Sequence, residues 1–545
     1  MKKFAMKLLP ATVVAGLSAV GIAGVARAVH INPDGLGQVL IYPYYTVRAG
    51  NVTAMSIINT TTLTKAVKVR ILEGKNSREV LDFNLFLSPT DVWTGVILPT
   101  VNGAKLETGD SSCVTPRDLF GNAAGDLPID NTGLTANAFR NVQYTGLNAD
   151  NPSLNTLDRT REGYIEVIEM GIVVDATMAA FIKHNPAGAA ANCAALDAYE
   201  ASSTAALPTV KLPGPYLASP GGGLTGRASI INSASGTNYT YDVTALDGWW
   251  APLVPGPGNV PYSAPGETAP SISLQAGIST VSYVPVTGNP AVANSGGVVR
   301  AVWATSREAV SAVFMRDSIV NEFVTDAGTV SKTDWVITMP TKRDNIGVGT
   351  GGPNRPFSYN FANATQTGSC DVYRLSIFNR EEVVPLDDFG RVVPLGNLVG
   401  HVLCWTVNVL QFQAQFGTAG LLGSTNNFQF ASDLNLFLSY TATSTGASAA
   451  SPGRRGVQGP NGWAALRFGA PGALAQLPQS ITPLSVTLNG VAVVDGSSSG
   501  TGTHFGLPVI GAMFHNYTNA GIASSYGGVI PHKYTRNIDI VNRAP

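Results

Sequence analysis

Charge is what this sequence has least of. Asp, Glu, Lys and Arg make up 13% of its 545 residues, against about 25% in ordinary soluble domains. Acids and bases nearly cancel, leaving a formal net charge of −1. No basic stripe marks nucleic acid as a partner, and no polybasic patch marks an anionic membrane surface. Cysteine is scarce too. There are four, Cys113, Cys193, Cys370 and Cys404, and none of their spacings makes the C-x-x-C unit of zinc or redox sites. After the first 28 residues no apolar run approaches the ~20 needed to cross a bilayer as a helix, so no transmembrane segment is expected there. No repeat of constant period is visible, which argues against a solenoid or propeller.

The N-terminus does carry an address. Met1 to Lys7 is short and basic with no acid, residues 8–25 are apolar, and Ala26-Arg27-Ala28 is a small-x-small cleavage site. In that order these parts read as a secretory signal peptide, residues 1–28, removed after Ala28. Its removal takes away Lys2, Lys3, Lys7 and Arg27 and no acid, moving the formal charge from −1 to −5. The expected location is therefore extracellular, at the cell surface, or periplasmic. An even number of cysteines in an exported chain points to disulfides, and four allow three pairings. Cys370 and Cys404 lie in or beside strand-like runs, while Cys113 and Cys193 lie in loop- or helix-rich inserts. Cys113–Cys193 with Cys370–Cys404 is the expected set.

Alternation of apolar and polar residues dominates the rest. Residues 67–71 (Val-Lys-Val-Arg-Ile) and 81–85 (Leu-Asp-Phe-Asn-Leu) have a period of two, the mark of half-buried strands. Residues 73–78 between them supply turn chemistry, so the pair reads as a hairpin. Further strands are expected at 39–47, 53–58, 164–174, 228–232, 239–243, 298–303, 335–339, 373–378, 403–410, 434–440 and 464–468. Helices are expected at 176–182, with Asp175 as N-cap, at 187–201, and at 305–320, where Thr305 and Glu308 have capping-box spacing. The fold class is mainly β: antiparallel, Ig-like β-sandwich domains with long loop inserts and a few short helices. The expected division is an N-terminal sandwich at 29–250 with a cysteine-bearing insert at about 101–210, a Pro/Gly-rich linker or loop at 251–297, and a C-terminal sandwich at 298–545. An outer-membrane barrel would need regular strands of about 9–11 residues, and the spacing here is irregular.

Several blocks carry a resemblance. They include Tyr44-Tyr45-Thr46-Val47, Asn59-Thr60-Thr61, residues 83–89 and Asp91-Val92-Trp93-Thr94 in the first hundred residues, and a weaker block at 164–171. Later come Thr333-Asp334-Trp335-Val336, Pro340-Thr341-Lys342-Arg343, Asn379-Arg380-Glu381-Glu382 and Tyr526-Gly527-Gly528. Together they resemble a group of exported proteobacterial proteins described as hypothetical or cell-surface proteins. The resemblance spans most of the chain and implies a surface or extracellular role. It implies no catalytic or binding residue.

Motifs for chemistry are weak. Gly496-Ser497-Ser498-Ser499-Gly500 matches G-x-S-x-G, but nothing after it can start the helix that a nucleophile elbow needs, so it reads as a loop. Glu166 and Glu169 are three apart in a strand and point to opposite faces. Glu381, Glu382, Asp387 and Asp388 form an acidic loop without EF-hand spacing. His30, His184, His401, His504, His515 and His532 are scattered. Trp249, Trp250 and Trp303, with Tyr241, are a candidate aromatic platform for a sugar, or else core residues. No cofactor or metal is expected. The expected function is a non-enzymatic cell-surface or extracellular structural and interaction protein, such as a surface-layer, filament or matrix component. Its low charge leaves few long side chains to order on contact, which favours self-association or attachment to a cell-surface polymer. A surface glycan- or ligand-binding protein is the alternative, and an exported hydrolase stands behind both.

Overall fold

The computed structural model describes residues 28–120, 135–150, 154–204, 216–251, 259–286, 296–346, 355–357, 369–380, 401–414, 418–431, 455–456, 461–468, 479–492, 502–519 and 524–539. The strand expected at 434–440, the acidic loop at 381–388 and the Gly496–Gly500 segment lie outside these residues, as do residues 1–27 of the leader. What is described is mainly β, arranged in antiparallel sheets that pack face to face, as the alternation predicts.

The first half builds a sandwich. Its long sheet runs His30–Ile31, Thr244–Asp247, Val39–Thr46, Glu162–Val173, Lys65–Glu73, Glu79–Leu87 and Cys113–Thr115 in spatial order, with Leu217–Ala218 also pairing Glu162–Val173. Facing it is a five-stranded sheet in the order Thr237–Asp242, Leu224–Asn232, Val52–Asn59, Val92–Pro99, Ala104–Glu107. Val67, Val69 and Phe83 of one meet Met55, Ile57 and Trp93 of the other in a shared core, with the Phe83 and Trp93 rings 5.8 Å apart. The hairpins expected around 67–85 and 228–243 form antiparallel as read. Pro43 sits inside the paired strand Val39–Thr46 at the point where its register shifts. A bulge there accommodates a residue with no N–H to donate.

In the second half the ladders close among themselves. A six-stranded sheet contains Asn427–Ala431, Val407–Gln413, Lys332–Thr338, Ala512–Asn519 and Ser524–Pro531, with Arg455–Gly456 at its end. It packs on a five-stranded sheet built from His401–Leu403, Asp371–Asn379, Asn461–Arg467, Ser318–Val324 and Lys533–Thr535. Phe323 and Phe412 stack between the two at 5.1 Å. Antiparallel pairing has an exception here, because Asn427–Ala431 runs parallel to both its neighbours. The run expected at 403–410 is broken into two strands at 404–406.

Strand pairing thus divides between residues 247 and 281, yet the apolar core does not. Val336, Val409 and Phe514 of the six-stranded sheet belong to the same buried cluster as Val39 and Ile57, and Phe514 lies edge-on to Tyr239 and Tyr241. The six-stranded sheet is therefore covered on both faces, which explains why Val407–Gln413 is buried throughout. Residues 259–286 lie against the first sandwich. Trp249 Nε1 donates to Ile272 O and Trp250 Nε1 to Asn259 O.

Three helices are described. In α1 (Ala176–Ile182), Asp175 caps as expected, accepting from Met178 N at 2.8 Å. α2 spans Cys193–Thr204. In α3 (Ser306–Phe314), the Thr305/Glu308 capping box is complete. The helix stops six residues short of the expected 320, because Met315–Arg316 and Ser318–Val324 are strands. Arg316 Nη1 donates to Val313 O and Met315 O there, satisfying carbonyls that the helix end leaves open. Both disulfides pair as expected, Cys113–Cys193 across 80 residues and Cys370–Cys404 across 34. Loops of those lengths are worth about 4 kcal/mol each in chain entropy. We expect Cys113→Ala/Cys193→Ala to lower the unfolding free energy by about 2–4 kcal/mol, read from urea denaturation of wild type and variant side by side.

Candidate functional site

The long sheet carries its charges inside. Strand Lys65–Glu73 alternates as predicted, but its polar residues are not solvated. Lys65, Lys68, Arg70 and Glu73 are all buried, which corrects the expectation of a half-buried hairpin with one wet face. Burial is tolerable because neighbouring strands supply the opposite charge. Arg70 lies across from Glu166 in the ladder and pairs with both Glu79 and Glu166 at 2.7 Å. Lys68 pairs with Asp82 at 2.7 Å, and Lys65 with Glu169 at 2.6 Å. Glu73 takes Arg159 at 2.7 Å and also the backbone N–H groups of Lys75, Asn76 and Arg78. Arg159 continues to Asp150 at 2.7 Å, with its guanidinium over the Tyr144 ring.

The roof over Lys68 and Asp82 comes from the segment expected to be a linker. Lys68 Nζ donates to Ser263 Oγ and Ala264 O, and Gly266 N donates to Asp82. Tyr164 OH bridges Glu166 and Pro340 O. Burial raises the Glu166 carboxyl to about 7, Arg70 pulls against that, and Asp344 adds to it. Burial alone would also raise Glu73, but Arg159 and the backbone donors outweigh it and hold that carboxyl below its usual value. Glu166 and Glu169 do point to opposite faces as read. Glu169 turns to Lys65 and to the N–H groups of Gly221 and Gly222.

A second polar group was not foreseen. Ser88 and Asp91, three residues apart, meet the distant His184 beside the Cys113–Cys193 insert. Asp91 Oδ2 accepts from Ser88 N at 2.9 Å and Ser88 Oγ at 3.2 Å. His184 Nδ1 lies 3.1 Å from Ser88 Oγ and 3.5 Å from Asp91. One ring nitrogen touches both partners, so the imidazole does not stand between serine and carboxylate as a general base must. The arrangement pins the turn that leads into strand Val92–Pro99.

The other candidates disperse. Trp249, Trp250 and Trp303 are 0%, 3% and 2% exposed. They are core residues, and no ring face is open to a sugar. His504 and His532 are buried, with burial pushing both down to about 4, and they bond to Gly502 O and Val336 O respectively. His515 lies beside Met513 Sδ, and His30 beside Ala28 O. Among the described residues no group of three or more His, Cys, Asp or Glu is placed to hold a metal. Asp334 is the third residue of strand Lys332–Thr338. It is fully buried and accepts from Leu422 N at 2.9 Å, while its other oxygen has no partner. Burial raises its carboxyl to about 7, against the pull of that N–H.

The first sandwich has an open sheet face. The outer face of the five-stranded sheet presents Ala54 and Ser56 from its middle strand and Thr94, Val96 and Leu98 from the next. A shallow groove of about 610 Å³ runs over it, with Arg227 on one shoulder and Glu107 on the other. One sheet edge is hydrogen-bonded to further chain, whereas the other edge strand, Thr237–Asp242, has its ladder only with Leu224–Asn232. Tyr239 packs against Gly527 of the hairpin ending at Pro531, and Ala104–Glu107 bonds to residues 137–139.

Fold and site together define a β-rich, doubly disulfide-bonded body with a bare sheet face on its first sandwich. Among the described residues no helix is long and apolar enough to cross a membrane. No family model, curated protein or solved structure matches the chain.

Two outcomes are expected. Lys65→Met strands Glu169 and costs about 3–5 kcal/mol, whereas Lys65→Met/Glu169→Gln recovers most of it, as urea titrations will show. Asp334 has a native value raised far above the unfolded ~3.9, so its contribution is full below pH ~4 and is lost as pH rises to 7. Asp334→Asn should therefore gain on wild type by about 3 kcal/mol between pH 4 and pH 7.5, measured as the difference in unfolding free energy at the two pH values.

Proposed function

We propose that this chain is an exported, non-enzymatic structural and interaction protein of the cell surface or extracellular space, a component of a surface layer, filament or matrix. The observation that carries the reading is the bare outer face of the five-stranded sheet, lined by small and β-branched side chains. Such a face can contact a flat partner with little side-chain ordering. Two disulfides support a compartment outside the reducing cytoplasm. The resemblance to exported cell-surface proteins and the expected leader point the same way.

Fractionation of the producing cell tests this. The chain should be recovered from the envelope or medium, shortened at residue 28, with no thiol reacting before reduction, and its deletion should alter the surface seen by electron microscopy. Full-length chain with reduced thiols in the cytosol overturns the proposal.

A further inference from the structure

We infer that the open edge strand of the first sandwich, Thr237–Asp242, pairs with the same strand of a second copy of this chain, antiparallel about a two-fold axis at Thr240. This rests on the reading of the chain as a contact protein and names its partner.

The ladder fixes which way the edge groups point. Thr60 N donates to Gly223 O, and Val243 N to Gly226 O. From Gly226 to Asn232, backbone groups of odd-numbered residues therefore face Val52–Asn59, and those of even-numbered residues face Thr237–Asp242. The even set is matched by Thr237, Tyr239 and Tyr241. Asn238, Thr240 and Asp242 consequently turn their N–H and C=O groups away from the sheet. Among the described residues none of those groups has a backbone partner.

Self-pairing satisfies them all. A two-fold axis at Thr240 sets Thr240 against its own copy, and Asn238 against Asp242 at both ends. Each of these is a closely spaced pair that exchanges two N–H···O=C bonds. Tyr239 then falls beside Tyr241 of the other copy, an aromatic cross-strand contact. At each end the Asn238 amide can donate to the Asp242 carboxylate, while the two Asp242 residues stay ~14 Å apart. On its own sheet Asp242 is offset by Arg227 at 3.6 Å, so the joint gathers no excess of one charge.

The strand lacks what usually guards an edge. It contains no Lys or Pro, and its register against Leu224–Asn232 has no shift. The far edge, Ala104–Glu107, is by contrast bonded to residues 137–139. Thr and Tyr fill four of its six positions, residues that suit a strand. An edge so made is a template for another strand, held by main-chain bonds rather than by a large buried area. The axis stands perpendicular to the sheet. Two five-stranded sheets therefore join into one, with both bare faces on the same side.

Sedimentation equilibrium of the mature, disulfide-bonded full chain is the test. A concentration-dependent dimer is expected. Thr240→Pro removes an N–H that the single chain does not use, so monomer unfolding should stay nearly unchanged. The dimer should weaken about 10- to 100-fold, because one bond is lost from each copy. Thr240→Lys keeps the N–H but sets two ammonium groups opposite each other, and should weaken the dimer about tenfold at low salt. Oxidation of Thr240→Cys should link two chains, since the paired Cα atoms lie ~5.5 Å apart. Asn238→Cys, whose copies lie ~14 Å apart, should stay unlinked. A chain that remains monomeric at all concentrations overturns the inference. So does a dimer indifferent to both Thr240→Pro and Thr240→Lys, or one that links through Asn238→Cys and not Thr240→Cys. In each of these cases an envelope location with intact disulfides leaves the proposed function standing. Cytosolic, reduced chain defeats that function whatever the oligomeric state.

Discussion

Charges buried in the long sheet constrain everything around them. Desolvating a lysine or arginine costs several kcal/mol unless a counter-charge meets it. Here Lys65, Lys68 and Arg70 find Glu169, Asp82, Glu79 and Glu166 on the two adjoining strands at 2.6–2.7 Å. A slip of one residue in either ladder would turn these side chains to opposite faces and leave cations in an apolar core. The pairs therefore hold the register of three strands at once, and the strand order follows.

The same pairs require a roof. An ion pair left wet on one side contributes little, but this one is closed by residues 259–266, with 339–346 beside it. Both segments lie at or beyond the divide between the two sets of ladders. Covering the charges thereby draws the second half onto the first. At the other end, the turn at 74–78 does the same work. Lys75 reaches Asn426 and the Trp405 ring, while Val407 N and Thr406 N bond to Gly74 O and Lys75 O. The two sandwiches share an apolar cluster because polar anchors at both ends place them in contact.

With so much of the polar inventory committed inside, the surface has little charge to spend. The bare face of the five-stranded sheet follows directly. Its inner side is core, and its outer side carries Ser, Thr, Ala and Val with a few flanking charges.

Period-two alternation, capping residues and turn chemistry are local, so the β class, most strand positions, the Asp175 cap, the Thr305/Glu308 capping box and the loop-wise disulfides could be read from the chain alone. Alternation says which residues share a face, but not what lies above it. The alternation at 67–71 predicts a wet side, yet residues nearly two hundred positions away cover Lys68. For the same reason the aromatic residues Trp249, Trp250 and Trp303 offered a platform on paper and became core in three dimensions. Ser88, Asp91 and His184 converge only through the packing of α1 against the sheet, and Asp334 is unusual only because both faces of its sheet are covered. Secondary structure depends on neighbours within a few residues, whereas burial, pairing and exposure depend on which distant segments come to rest on them.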